Sequence, residues 1–363
     1  MTSNFRLRQT VAVLSLIEAM LACGTLYGQG KPAAESRPFE LRVTRARKIY
    51  SDGRHNAFTG MARLGDRTFV TFRSAATHMT MDGKILIIAS QDLEKWQTVH
   101  VAEQANVDFR DPKLVTFDGK LLCYFAARRE ERPSSPERGP VSMVVRSADG
   151  RTFEQPRSLR GVRPGAWLWH VAARGPMLYG TAYGGGVKAA TLYRSSDGLQ
   201  WEKVTDFPTP CNEVFLEFAP DGILWALARD GLALCRAEPP YGNLVIQKRL
   251  AIPHGGPLVK RLPTGFVIIT RQWDPPGRRN LRTEISWLPD GGELRSITRL
   301  PSGGDTSYAA WLDVAPGRAI VSYYSSHEHK MDVPIGPKPK DPADAEHTTA
   351  ADIFLADVSY TPY

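Results

Sequence analysis

The 363-residue sequence predicts an all-β protein, a six-bladed β-propeller with four antiparallel strands per blade. Three observations lead there. A glycine turn followed by a short apolar run recurs six times. A Ser-x-Asp turn with a trailing aromatic recurs three times. No stretch beyond the N-terminal thirty residues keeps a helical period with caps.

The longer repeat reads "LGDRTFVTF", "FDGKLLCYF", "ARGPMLYGTAY", "APDGILWAL", "LPTGFVIIT" and "APGRAIVSYY". Its turn glycines are Gly65, Gly119, Gly175, Gly222, Gly265 and Gly317. A spacing of about 50 residues is that of a propeller blade. Each unit reads as short strands rich in Val, Ile, Leu, Phe and Tyr with turn residues between them. One four-stranded sheet cannot hide both faces, so the units must stack around a ring. The segment "FELRVTRARKIY" at 39–50 then supplies the outer strand of the last blade and closes it. The second repeat reads "SQDLEKW" at 90–96, "SADGRTF" at 147–153 and "SSDGLQW" at 195–201. Its aspartate can accept backbone N–H groups of its own turn, and its aromatic can plug the blade. These boxes are expected to be structural pins on the outer rim, with Trp96, Phe153 and Trp201 as plugs.

Residues 1–29 read as a signal peptide, with Arg6 and Arg8 ahead of an apolar core. "MLAC", ending at Cys23, resembles a bacterial lipoprotein cleavage box. Residues 30–38 are a linker, and 39–363 form the single propeller domain. A secreted or periplasmic protein is expected, either cleaved free or lipid-anchored. No later segment is apolar enough to span a membrane. Cys123, Cys211 and Cys235 lack metal-type spacing and read as buried thiols, with a Cys211–Cys235 bridge as the alternative. The net charge is +8, yet no run of five or more Lys/Arg occurs, which argues against nucleic acid.

Propeller ligands bind at one mouth of the central channel, where first strands begin and second strands end. First-strand starts carry Arg54-His55-Asn56, Arg110-Asp111, Trp169-His170, Asn212-Glu213, Gly255-Gly256 and Asp305 to Tyr308. Second-strand ends carry Arg73, Arg128, Tyr183, Arg229, Arg271, Tyr323 and Tyr324. A mouth lined by arginines selects an anionic ligand, because guanidinium forks bind carboxylates in a bidentate way. His55, His78, His170 and His327 also fall near this mouth, without metal-ligand spacing, and Trp167 or Trp169 could stack on a sugar.

Boxes of this form in a six-bladed pattern resemble the bacterial sialidase (neuraminidase) superfamily, with its Asp-box repeats, over most of residues 50–360. Sialidases use a tyrosine nucleophile paired with a glutamate, a separate acid, and three arginines that hold the sugar carboxylate. "DTSYAAWLDVAPGRAIVSYY" resembles the last-blade segment, which places Tyr308 as nucleophile. "CNEVFLEFAPDGILWALAR" resembles the fourth-blade segment, which places Glu213 as its partner and Arg229 in the clamp. "FVTFRSAATHMTMDGKILIIAS" resembles the first-blade loop, which makes Asp82 the acid and base. "RHNAFTG" resembles the opening arginine motif, which adds Arg54, although sialidases usually read Arg-Ile-Pro where this chain has Arg54-His55-Asn56. The third clamp arginine falls in blade five, as Arg271 or Arg278, and Arg271 is the choice here.

The resemblance implies an exo-sialidase-like glycoside hydrolase that acts by retaining hydrolysis on a terminal acidic sugar. Arg54, Arg73, Arg110, Asp111, Arg229, Arg271, His55 and Trp169 would bind substrate. The expected partner is an anionic glycan, met by a monomer, with no cofactor and no metal. A second resemblance competes: "FRDPKL" at 109–114 is similar to the Arg-Asp-Pro motif of propeller glycosidases acting on neutral sugars. That leaves a glycosidase for neutral or sulfated sugars centred on Asp111, a silent carbohydrate-binding propeller, and a protein-binding scaffold as rival readings.

Overall fold

The computed structural model describes residues 39–130, 133–229, 231–250, 255–273, 281–329 and 350–361. The signal segment, the linker, Arg278 and nearly all of the Pro-rich loop at 331–350 lie outside the described residues. Six four-stranded antiparallel sheets make the six blades. Blade one is β2 (His55–Leu64), β3 (Arg67–Ala75), β4 (Lys84–Ser90) and β5 (Gln97–Ala102). Blade two is β6 (Asp108–Phe117), β7 (Lys120–Arg128), β8 (Val141–Ser147) and β9 (Arg157–Ser158). Blade three is β10 (Ala166–Arg174), β11 (Met177–Gly184), β12 (Val187–Ser195) and β13 (Glu202–Asp206). Blade four is β14 (Val214–Phe218), β15 (Leu224–Ala228), β16 (Ala233–Ala237) and β17 (Val245–Arg249). Blade five is β18 (Gly255–Leu262), β19 (Gly265–Trp273), β20 (Leu281–Pro289) and β21 (Arg295–Arg299). Blade six is β22 (Thr306–Ala315), β23 (Arg318–Ser325), β24 (Asp352–Tyr360) and, from the other end of the chain, β1 (Leu41–Tyr50).

The middle strands read as near-continuous apolar runs because both of their faces are covered by neighbouring blades. Lys84–Ser90 is buried at every position after the first. The core is accordingly a set of inter-blade seams. Phe69 and Ile87 of blade one pack with Phe109, Leu121 and Phe125 of blade two. Leu122 and Tyr124 of blade two pack with Leu178 and Trp201 of blade three. Phe72 and Leu86 of blade one meet Ile320, Tyr324 and Leu355 of blade six.

Closure of the ring is as read from the sequence. β1 pairs antiparallel with β24, from Leu41 opposite Tyr360 to Tyr50 opposite Ile353. A second tie joins blade one to blade six, where Asn56 N donates to Ala351 O and Ala351 N donates to Arg54 O. A third is the Thr59 hydroxyl, 2.9 Å from Tyr308 O.

The three Ser-x-Asp turns follow the third strands of blades one, two and three, and they share one geometry. Asp197 Oδ1 accepts the N–H groups of Leu199 and Gln200, both at 2.8 Å. Asp149 does the same for Arg151 and Thr152, and Asp92 for Glu94 and Lys95. The N–H groups of Lys95 and Glu94 hold the Asp92 carboxyl down to about 2. Trp201 is fully buried, whereas Trp96 and Phe153 plug their seams while partly buried. The carboxylates therefore serve their own turns. Replacing Asp197 with Ala leaves two backbone N–H groups without their acceptor and is expected to cost about 1–2 kcal/mol in urea unfolding.

Candidate active site

The inner strands carry the site through a repeated defect in their pairing. The register slips between Ala57 and Gly60, Arg110 and Lys113, Leu168 and His170, Gly255 and Leu258, and Ser307 and Ala310. Each slip is a β-bulge, which re-aims the side chain at its centre. Phe58, Asp111 and Tyr308 have positive φ at their bulges, of 64°, 47° and 50°. Such backbone is costly for L-residues with a Cβ and tends to be kept where function needs it. Blade five puts Gly256 at this place, with φ 60°, and a Cβ there would press to 3.0 Å from both the ring and the backbone N of Tyr308. Blade four has no slip, and Glu213 stands immediately before its first strand.

These residues meet in one buried cluster. The Tyr308 hydroxyl donates to Glu213 Oε1 at 2.9 Å. Arg229 Nη1 donates to the same oxygen at 2.7 Å and lies 3.4 Å from the Tyr308 hydroxyl. The Gly256 N–H reaches Glu213 Oε2 at 3.4 Å. The Arg271 guanidinium stands 5.4 Å from the centre of the Tyr308 ring. Trp169 meets that ring edge-on at 6.3 Å and donates its indole N–H to Asp111 Oδ2 at 3.2 Å. Burial, and then the Glu213 carboxylate, push the Tyr308 phenol well above its ordinary value, against the pull of Arg271 and Arg229. The resting tyrosine is therefore a neutral phenol with a carboxylate at hand to take its proton.

Three further carboxylates surround this pair. Asp111 is 5% exposed, and its Oδ1 is buried without a hydrogen-bond partner. Burial lifts its carboxyl above the usual range, with Arg110 and Lys113 opposing. Asp305 is fully buried: its Oδ1 accepts the Tyr324 hydroxyl at 2.7 Å and Arg271 Nη1 at 3.3 Å, and its Oδ2 meets His55 Nε2 at 2.8 Å and His78 Nδ1. Asp108 is the focus of three arginines: Arg73 Nε at 2.8 Å, with Arg110 Nη1 and Arg128 Nη1 each at 3.4 Å.

The structure thus brings together Tyr308, Glu213, Arg229, Arg271, Trp169 and Asp111, six of the residues selected from sequence. It places the others differently. Arg54 and Asp82 form an ion pair of 2.6 Å at the partly exposed rim. Partial burial pushes the Asp82 carboxyl up, but bonds from Thr80, the Ala76 N–H and Arg54 outweigh it and hold the group below the usual carboxylate range. Arg73 and His55 are fully buried. Arg73 uses all three of its nitrogens inside the protein, on Asp108 and on the carbonyls of Thr77 and Thr80. His55 is held by Asp305.

Asp108 was missed and Asp305 was placed at the mouth without a role, yet a signal for both existed. Each stands three residues before a bulge residue, Asp111 and Tyr308, just as His55 stands three before Phe58. Among the described residues, one group could hold a metal ion: His55, His78 and Asp305 offer ligand atoms within 4.8 Å of one another. In the present arrangement both nitrogens bond the carboxylate itself, and its other oxygen is taken by Tyr324 and Arg271.

No family model matches the chain, and no curated protein matches it by sequence. Solved structures do. A Dyadobacter fermentans protein of unknown function aligns with a TM-score of 0.67 at 16% identity, over 88% of this chain and 99% of that one. The phage phi92 endosialidase aligns at 0.62 and 11%, over 88% of this chain and 69% of that one. A Trypanosoma rangeli sialidase mutant displaying trans-sialidase activity aligns at 0.58 and 10%, over 88% of this chain but only 58% of that one. At this identity the likeness shows the fold, a six-bladed propeller of the sialidase type.

The buried histidines make stability sensitive to acid. His170 accepts the Leu216 N–H on Nδ1, and burial, aided by Lys113, lowers it to about 3. The unfolded chain would take up that proton near pH 6.5 while the folded chain refuses it. The neutral form costs nothing above pH 6.5, so stability is lost as pH falls from there toward 3, by about 1.4 kcal/mol per pH unit for this group. Denaturant unfolding at pH 7.5, 5.5 and 4.5 should show the loss, and His170→Gln should flatten the slope by about one proton.

Proposed function

We propose that this protein is an exported, sialidase-like glycoside hydrolase that removes a terminal acidic sugar from a glycan with retention. The observation that carries the reading is the 2.9 Å bond from the Tyr308 hydroxyl to Glu213, flanked by Arg229 and Arg271. A carboxylate nucleophile would repel a substrate that carries its own carboxylate, whereas a neutral phenol does not. The buried phenol is a weak nucleophile until a base takes its proton, and Glu213 is within reach to do so. The sialidases among the structural neighbours support the reading by analogy of fold.

In the first step the Tyr308 oxygen bonds to the anomeric carbon as its proton passes to Glu213. The glycosidic bond breaks, and the leaving oxygen takes a proton from Asp82. In the second step Asp82 removes a proton from water, the resulting hydroxide bonds to the anomeric carbon, and the Tyr308–carbon bond breaks. The phenolate then recovers its proton from Glu213. Arg229 and Arg271 hold the sugar carboxylate from blades four and five, and Arg54 completes the grip from the rim beside Asp82. Trp169 packs against the sugar ring. The unpartnered Oδ1 of Asp111 accepts a sugar hydroxyl, which also suits the reading of a glycosidase for neutral or sulfated sugars.

Incubation with a fluorogenic sialoside tests the proposal. Turnover is expected, with Tyr308→Phe and Glu213→Gln each reducing kcat by about a thousandfold or more. Turnover that survives Tyr308→Phe removes the tyrosine from the chemistry, and glycan binding without turnover favours a silent propeller. The ion pair with Arg54 keeps Asp82 ionised to lower pH, which limits its service as an acid. Arg54→Gln should raise the Asp82 pKa and move the alkaline limb of kcat/KM to higher pH, even as KM rises.

A further inference from the structure

In the steps above the leaving oxygen takes its proton from Asp82, so whatever that oxygen carries must lie within reach of Asp82. On that side the structure has a cavity of about 670 Å3 between blades one and two. It is lined by Asp82 and Gly83, by the connection from β5 to β6, and by Arg129 just past the end of β7. Asp82 is held at its edge, where the carboxylate accepts the Ala76 N–H and Arg54 Nη2. Gly83 is fixed as well. Its carbonyl accepts the Phe109 N–H at 2.9 Å, and a Cβ on it would collide with Asp108 Oδ1 and Arg73 Nε. A glycine here lets the loop press against blade two, which sets the position of the acid beside the cavity.

The rest of the lining carries uncommitted polar groups. The connection turns tightly, with the Val107 N–H donating to Gln104 O at 3.2 Å and Asn106 at a φ of 60°. Glu103, Gln104, Asn106 and Arg129 are exposed, and among the described residues their side chains bond to no other group. Exposed arginines on the outer strands behave differently: Arg45 pairs with Glu94, Arg146 with Glu154 and Arg194 with Glu202. Here a glutamate and an arginine share one cavity and leave their bonding capacity open. A carboxylate, a guanidinium and two amides together offer the acceptors and donors that sugar hydroxyls require. The charges also discriminate. The lining holds two acids, Asp82 and Glu103, against one base, Arg129, and Arg54 is already bonded to Asp82. No surplus of positive charge is left for an anion, in contrast to the side of Tyr308, where Arg229 and Arg271 stand.

We infer that this cavity is the subsite for the leaving half of the substrate, and that it takes a neutral sugar whose hydroxyls are bound by Glu103 and Arg129, with Gln104 and Asn106 beside them. The substrate class is thereby an acidic sugar joined to a neutral one, and a polymer of acidic sugars alone is disfavoured. The inference rests on the role proposed for Asp82, but its test reads binding alone. Failure of sialoside hydrolysis strikes that role and leaves neutral-sugar binding standing, and the reverse holds too.

Ligand-observed NMR titration of the full chain with lactose decides it. Lactose should bind, and Glu103→Gln and Arg129→Gln should each weaken it by about fivefold. The charge argument is read in the Arg229→Gln protein, where an acidic probe loses its hold beside Tyr308. There methyl β-galactoside should bind about fivefold more tightly than methyl β-galacturonide. Adding Glu103→Gln should bring the two within about twofold, by weakening the first and relieving the second. Absence of lactose binding, lactose binding that both surface variants leave unaltered, or a galacturonide held as tightly as the galactoside would overturn the inference. Glu103 and Arg129 are exposed, so the lactose arm stands even if thermal unfolding shows Arg229→Gln to be misfolded.

Discussion

The pairing of Leu41–Tyr50 with Asp352–Tyr360 is the constraint on which everything else rests. Blade six is assembled from both ends of the chain, and its inner strand carries Tyr308. A ring of sheets has no covered edge until it closes, and each blade hides its faces only against two neighbours. The closing strand therefore fixes the distance between blade six and blade one, and with it the seam where Phe58, Tyr324 and Tyr308 pack. The Thr59 hydroxyl on Tyr308 O and the backbone pair between Asn56 and Ala351 lock the same junction beside the site.

Within that frame the inner strands convert a repeated fold into a single chemical site. The same bulge recurs in five blades, but its centre is Phe58, Asp111, Trp169, Gly256 or Tyr308. One backbone device thus presents a ring, an acid, an indole, open space and a phenol around one axis. The glycine is as specific as the others, because its missing side chain leaves room for the Tyr308 ring. Two of the buried carboxylates are answered from another blade, Asp305 by Arg271 of blade five and Asp108 by Arg73 of blade one, while Glu213 is answered by Arg229 within blade four. Such pairs offset the cost of burial and hold the long side chains in one geometry.

The tight bonding at the floor contrasts with the rim. Asp305 and Asp108 are wholly buried and bonded to several donors each, so the arginines they hold cannot wander. Arg54 and Asp82 are partly exposed, and Asp82 is held by the Ala76 N–H as well as by Arg54. A cross-braced floor beneath a more exposed rim suits the anionic-sugar reading proposed above.

Much of this was present in the sequence. The glycine turns and apolar runs determined the number of blades, and the segment at 39–50 could be recognised as the closing strand, because hydrophobic periodicity and turn chemistry are local properties. The repeat register also brought Tyr308, Glu213, Arg229 and Arg271 to one mouth. Tertiary structure decided what register cannot: which partner each side chain at that mouth is bonded to. Arg73 and His55 occupy mouth positions in the repeat, yet carboxylates from other parts of the chain, Asp108 and Asp305, draw them inward. Those pairings join residues far apart in sequence, and their strength depends on burial that exists only once the blades have packed.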